Sequence, residues 1–327
     1  MHRSLTSLMK ILAAVLAAHA FAASAAAPGE CIVPSKPGGG FDVTCKLAQK
    51  GLQLEAQKTK EAALRVSYLP GGIGAVAWST VVSQRRAEPD TLIAFSSGSL
   101  LNLAQGKFGK ASAADVRWVA ALGADYGMIA VRADSPYKTL RNLVDALKID
   151  PAKIAIGAGG TIGSQDWLKV ALIAKQGDVN PKNLRFVAFE GGGESFTALL
   201  AGHVQVVSGD ASEASLHAVS DKIRVLAVLS DARLTGALAH VPTAHEQGFD
   251  VTWPIIRGVY MGAQAPEADY QKWVARFDHM MASRTFDQLR VEHGLYPFAM
   301  TGATLTDYVK KTMDGYGRQA KELGLVR

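Results

Sequence analysis

The sequence predicts an α/β fold made of two successive units, and three observations carry that prediction. Apolar runs of strand length alternate with helical runs through most of the chain, the pattern of parallel sheets covered by helices on both faces. Glycine-rich turns recur where a strand gives way to a helix. A chain of 327 residues with 48% hydrophobic content is also longer than one core usually supports, roughly 250 to 300 residues.

In chain order, residues 31–34 form a short strand, and Pro37-Gly38-Gly39-Gly40-Phe41-Asp42 turns it into a helix over 41–58. Three successive glycines strip the turn of Cβ atoms, so its N–H groups can approach a ligand closely. The helix that follows leaves its first donors unpaired beside a partial positive charge, which suits a phosphate or a carboxylate. One such motif fits a ligand-free tight turn equally well, and it is recurrence that favours binding. Residues 64–69 form the next strand, and Pro70-Gly71-Gly72-Ile73-Gly74 opens a helix through Trp78 and Val81; Trp78, like Trp167 later, is read as a core position. A buried strand over 91–95 leads into the hydroxyl-rich turn Ser96-Ser97-Gly98-Ser99, and 118–122 and 128–131 are further strand candidates.

The second unit begins at Asp134-Ser135-Pro136 with a helix over 140–147. A strand over 154–156 enters the third glycine turn, residues 157–164, followed by a helix carrying Trp167, Val170 and Ile173. The strand over 184–189 meets the fourth, Gly191-Gly192-Gly193, and a helix over 195–201. Strands over 204–208, closed by Gly209-Asp210, and over 223–229 precede the Pro242-Thr243 turn. In sheets of this kind ligands sit beyond the carboxyl ends of the strands, where these turns lie.

Arg3 and Lys10 flank a polar start, residues 11–22 are almost wholly apolar, and the small-residue run after them offers A-x-A cleavage sites. This reads as a secretory signal peptide over residues 1–27, too short for a membrane span. Pro28 stands where a lipobox before Cys31 needs Leu, so a soluble periplasmic protein is expected. No twin-Arg pair lies near the start, so export of an unfolded chain is expected, and with it no cofactor loaded in the cytosol; no metal site is assigned. Removing Arg3 and Lys10 leaves 33 basic against 29 acidic residues, an excess suited to small anionic ligands. The basic residues are scattered, which excludes a nucleic-acid groove. Cys31 and Cys45 fit a disulfide in an oxidising compartment or two buried thiols.

An enzyme is the rival class. Gly72-Ile73-Gly74-Ala75-Val76-Ala77 fits the G-x-G-x-x-A dinucleotide pattern, with Asp90 near the spacing of a ribose partner. There is no G-x-S-x-G elbow and no H-E-x-x-H pair, so no catalytic residue is assigned.

Five ordered stretches carry a more specific signal: residues 34–42, Pro70-Gly71-Gly72-Ile73-Gly74-Ala75, Phe189-Glu190-Gly191-Gly192-Gly193-Glu194-Ser195, Gly202-His203-Val204-Gln205-Val206, and residues 241–248. Together they resemble the extracytoplasmic solute receptors of tripartite tricarboxylate transporters, the Bug family, over nearly the whole mature chain. Cys31 with Cys45 and the segment Trp253-Pro254-Ile255-Ile256-Arg257-Gly258 look closest to receptors for citrate-like tricarboxylates. The resemblance implies a type II periplasmic binding fold, a Venus flytrap with lobe I over 28–130 plus 250–327 and lobe II over 131–249. It implies a monomer that binds a small carboxylate and delivers it to the transporter's membrane subunits; a periplasmic sensor presenting ligand to a kinase would share the fold.

Carried over, the first lobe's ligand residues are Gly39, Gly40, Phe41 and Asp42, then Gly72, Ile73 and Gly74, with hydroxyls from Ser97 and Ser99. The second lobe offers Thr161, Ile162, Gly163 and Ser164, with Gly192, Gly193 and Asp210 completing the cleft. Asp42 can cap its helix or order a ligand water. Arg257 is the expected direct charge partner, since a guanidinium grips a carboxylate with two bonds; a structural Arg near the hinge is the alternative. Phe189-Glu190-Gly191 departs from the aromatic-lysine-glycine phrase common in the family.

Overall fold

The computed structural model describes residues 29–59, 64–218 and 221–322, so the expected signal peptide lies outside the described residues. The elements are β1 (Glu30–Val33), α1 (Gly40–Thr59), β2 (Arg65–Tyr68), α2 (Ala75–Ser83), β3 (Thr91–Ser96), α3 (Ser97–Ala104), β4 (Val116–Arg132), α4 (Leu140–Ile149), β5 (Ala155–Gly159), α5 (Gln165–Gln176), β6 (Arg185–Phe189), α6 (Gly192–Leu200), β7 (Val206–Asp210), α7 (Ala211–Ala218) and β8 (Ile223–Leu229). Then follow β9 (Pro254–Gly262), α8 (Glu267–Met281), α9 (Arg284–Glu292), β10 (Met300–Thr301) and α10 (Gly302–Glu322).

The strands run in the order β2-β1-β3-β9-β4-β7-β5-β6, with β8 and β10 also paired to β4. β1 is parallel to β2 and β3, and β5 is parallel to β6 and β7. The sheets are parallel-rich, as expected, and β4 and β9 are their antiparallel members. β9 runs antiparallel to β3 and β4, and β4 runs antiparallel to β7, β8 and β10. The two short candidates around Trp118 and Met128 are parts of one 17-residue strand, β4. Its first portion, through Tyr126, pairs with β9, and from Gly127 onward it pairs with β7 and β8. One continuous strand therefore passes from the first lobe's sheet into the second's.

The central strands of each sheet are buried on both faces, and successive side chains of a strand point to opposite sides. Leu92 and Ala94 join a core with Leu47, Leu52 and Phe277, while Ile93 and Phe95 join Trp78, Trp118 and Tyr260 on the opposite face. In the second lobe Ile129 and Val131 face α4 and α5, and Met128 and Ala130 face α6 and α7. Cys31 and Cys45 form a disulfide, with Cα atoms 5.7 Å apart, that ties β1 to the second turn of α1.

The stretch Ser96 to Ser99, expected as a turn, begins a helix. Ser96 caps α3 by accepting from the Gly98 N–H, while the Ser99 hydroxyl accepts from the Ser96 N–H. Such a box is usually closed by Glu or Gln, and serine at its fourth position conceals it from sequence reading. In the second turn Gly71, Gly72, Ile73 and Gly74 all have positive φ. Ile73, at φ 49°, is a β-branched residue in the left-handed region, a conformation that costs about 1–3 kcal/mol.

Candidate functional site

Six helix N-termini meet at the seam between the sheets: α1, α2 and α3 from the first lobe, α5, α6 and α7 from the second. Their opening residues wall an inner cavity of about 40 Å³ and an adjoining outer cavity of about 510 Å³, with Ile73, Asn102 and Ser164 shared by both. The inner cavity holds on the order of three water molecules, too few for a six-carbon acid.

Of the residues anticipated, Gly39, Gly40, Phe41, Ile73, Ser164, Gly192, Asp210 and Arg257 line the inner cavity. Gly72, Ile73, Thr161 and Ser164 line the outer one. The others brace the walls. Asp42 accepts from the Gly38 N–H at 2.8 Å and the Tyr68 hydroxyl at 2.9 Å and pairs with Lys46 at 2.7 Å, closing the first turn on itself. Ser97 accepts from the Ile256 N–H at 2.9 Å, which fastens α3 to β9. Ser99 closes the box at Ser96, Gly74 packs near Pro34, and the Gly163 carbonyl accepts from Gln105. Ile162 is 63% exposed. Gly193 lets the fourth turn rest on the first, since a Cβ there would collide with the Pro37 carbonyl.

Beneath the cavity lies a buried ionic cluster that sequence reading missed in all but Asp210 and Arg257. Lys169, with no exposed surface, spends its three N–H bonds on Asp166 at 2.7 Å, Asp210 at 2.5 Å and the Gly209 carbonyl at 2.8 Å. Arg257, expected to grip a ligand carboxylate, is 2% exposed and committed to the protein's own acids. Its Nη2 donates to Asp125 at 2.6 Å and Asp210 at 2.5 Å. Asp125 also accepts from the Ser212 hydroxyl at 2.6 Å. Asp210 thus joins a lysine of lobe II to an arginine of β9. Burial works against its ionisation, but Lys169 and Arg257 outweigh that and hold it below the usual carboxylate range.

Glu213 completes the cluster. Its Oε1 accepts from the Gly40 N–H at 2.7 Å and its Oε2 from the Asp210 N–H at 3.2 Å. Burial, reinforced by the Asp210 charge, pushes its carboxyl up to about 8. Burial and Asp210 likewise raise Asp166. Four carboxyls against two cations make the floor of the cleft rich in acceptors. Beyond Asp210 and Arg257, its sequence signals are Asp125 and Lys169, charges set among otherwise apolar neighbours in β4 and α5.

The dinucleotide alternative fails on geometry. Gly72 to Gly74 follow the carboxyl end of β2, whereas Asp90 precedes β3 at the amino ends of the strands, with its carbonyl accepting from the Glu30 N–H. A ribose partner must sit at the same end as the glycine turn. No group of His, Cys, Asp and Glu among the described residues could hold a metal, and no described helix is long and apolar enough to cross a membrane.

The model of the tripartite tricarboxylate transporter family receptor matches residues 70–325. A Cupriavidus necator protein described as UPF0065 protein in gbd 5'region is 25% identical over 209 residues, 63% of this chain and 61% of its own length. Among solved structures, the periplasmic binding protein BugD superposes with TM-score 0.79 at 18% identity, covering 91% of this chain and 98% of its own. MatC of Rhodopseudomonas palustris with bound malate gives 0.74 at 19%, covering 89% and 98%. An R. palustris protein with adipate gives 0.77 at 18%, covering 91% and 97%. At these identities the likeness establishes the two-lobed periplasmic binding fold.

Proposed function

The chain belongs to the receptor family of tripartite tricarboxylate transporters, and from that premise we propose that it is a periplasmic receptor whose lobes close over a small organic acid for delivery to membrane subunits. One observation carries the reading: helix N-termini from both lobes converge on a single seam, where peptide dipoles attract an anion with few cationic side chains. Lobe I is assigned residues 29–126 and 254–322, and lobe II 127–253, following the change of partners along β4 and the return at β9. Gly39, Gly40, Phe41, Ile73, Thr161 and Ser164 are assigned as ligand contacts. Arg257 acts through Asp210, which it orients, so its role is to position the floor of the cleft.

Citrate is the cargo that the resemblance favours, but the acid-rich floor disfavours a third carboxylate. A hydroxy-dicarboxylate, which brings one donor and fewer charges, suits the acceptor Asp210 better. Thermal shift and calorimetry on the mature protein against citrate, isocitrate, aconitate, succinate, malate, adipate, glutamate, terephthalate and nicotinate test both statements. Malate is expected to bind more tightly than citrate. Stabilisation by NAD and by none of the acids would reject the receptor reading.

A further inference from the structure

Glu213 lies in the first turn of α7, in lobe II, yet its carboxylate rests on the opposite lobe. It is 3% exposed, and its bond to the Gly40 N–H places it on the N-terminus of α1, the longest helix bordering the cleft. The surroundings are shaped to it. A Cβ on Gly192, at the start of α6, would collide with this carboxylate, and one on Gly40 would collide with the Arg257 guanidinium beside it. Glu213 is therefore held as a bound acid would be, by the N–H of a glycine turn in lobe I and the Asp210 N–H in lobe II, with Gly192 leaving room for it.

On the reading of the protein as a carboxylate receptor, we propose that Glu213 is an internal stand-in for the ligand. Its carboxyl latches lobe II to the α1 N-terminus, and an incoming carboxylate takes the Gly40 N–H by displacing it. The small inner cavity follows from this occupancy, because the acid that fills the seat belongs to the chain. The apparent affinity is then the intrinsic affinity multiplied by the fraction of molecules in which the seat is free.

Proton exchange separates displacement from coexistence. The charged groups facing Glu213 are Asp210 at the end of β7, Asp166 and Lys169 on α5, and Arg257 on β9, with Asp125 on β4 behind Arg257; α1 meets it through the Gly40 N–H and α6 through Gly192. Seated, Glu213 keeps its proton up to about pH 8, against 4.5 for an ordinary glutamate. Swung into solvent at pH 7 it loses that proton, so displacement releases a proton and binding tightens as pH rises toward 8. A ligand anion that entered beside a seated Glu213 would instead raise its pKa and draw a proton in.

The test combines calorimetry of malate, adipate and citrate at pH 7, in buffers of different ionisation enthalpy, with small-angle scattering of the ligand-free protein. Wild type is expected to release a proton on binding, and Glu213→Gln to exchange none at this site. Glu213→Ala is expected to bind roughly tenfold more tightly, the factor for a seat free in one molecule in ten, and to show a larger radius of gyration before ligand is added. Proton uptake or no exchange in wild type overturns displacement. An unchanged radius in both variants, with circular dichroism confirming that they fold, overturns the latch. Should no acid bind wild type, the receptor reading fails, while the scattering comparison still decides whether Glu213 holds the lobes together.

Discussion

The two walls of the cleft solve the same problem with different chemistry. Lobe I presents main-chain N–H groups on glycine turns, set by a disulfide at α1 and by Asp42, Ser96 and Ser97, which bond only within their own lobe or to β9. Lobe II presents titratable side chains, with Lys169, Asp166, Asp210 and Glu213 all buried. A wall of peptide dipoles does not change with pH, whereas a wall of interacting charges does. On the proposed receptor reading, helix N-termini of both lobes supply the generic attraction for acids, and the titratable groups that the second lobe adds are where selection among them would be made.

Breaking the second wall should have the largest effect. Lys169→Met leaves Asp166 and Asp210 buried without their shared cation, and a loss of about 3–5 kcal/mol in urea unfolding is expected. Breaking the first wall should cost slightly less. Replacing both Cys31 and Cys45 by Ser opens a loop with a separation of 14 residues and should lower stability by about 3 kcal/mol, read in the same assay. If the disulfide variant loses affinity for every acid by one factor while Asp210→Asn reorders the acids, the division of labour holds. The opposite pattern would break it.

Titration sharpens the contrast. The folded protein keeps the Glu213 proton to about 8, while the unfolded chain releases it near 4.5. The stability contributed by that proton is full below pH 4.5 and is lost as pH rises through 8. Thermal midpoints of wild type should accordingly fall relative to those of Glu213→Gln between about pH 5 and 8. The smallest effect is expected from Glu194→Gln, which removes the solvent-exposed pair with Lys36 at 2.5 Å that also links the first and fourth turns. Exposed pairs add little, and here the unfolding midpoint should stay within experimental error at physiological salt.

The part of this molecule legible in its sequence is the part that local rules write. Alternation of strand and helix, the four glycine turns and the burial of Trp78 all follow from periodicity and from what glycine permits over a few residues. The crossing strand β9 and the fusion of two segments into β4 were hidden, because an apolar run says nothing of the direction in which it pairs. The ionic cluster was less visible still. Arg257 lies 132 positions from Asp125 and 47 from Asp210, and Lys169 lies 41 from Asp210. Only the topology makes them neighbours. Asp210 was found because it closes a strand at the cleft, and Glu213, one helical turn later, resembles any polar residue starting a helix.

The uninterrupted course of β4 has a bearing on how receptors of this shape can be recombined. A graft that exchanges binding halves between two such proteins must respect the change of partners at Tyr126 and Gly127, with the return crossing at Pro254. Splices placed there keep each ladder with its native neighbours. Splices placed a few residues later would hand one parent's hydrogen-bonding edge to the other's, and the resulting hybrids should be recovered from inclusion bodies while those joined at the switch stay in the soluble fraction.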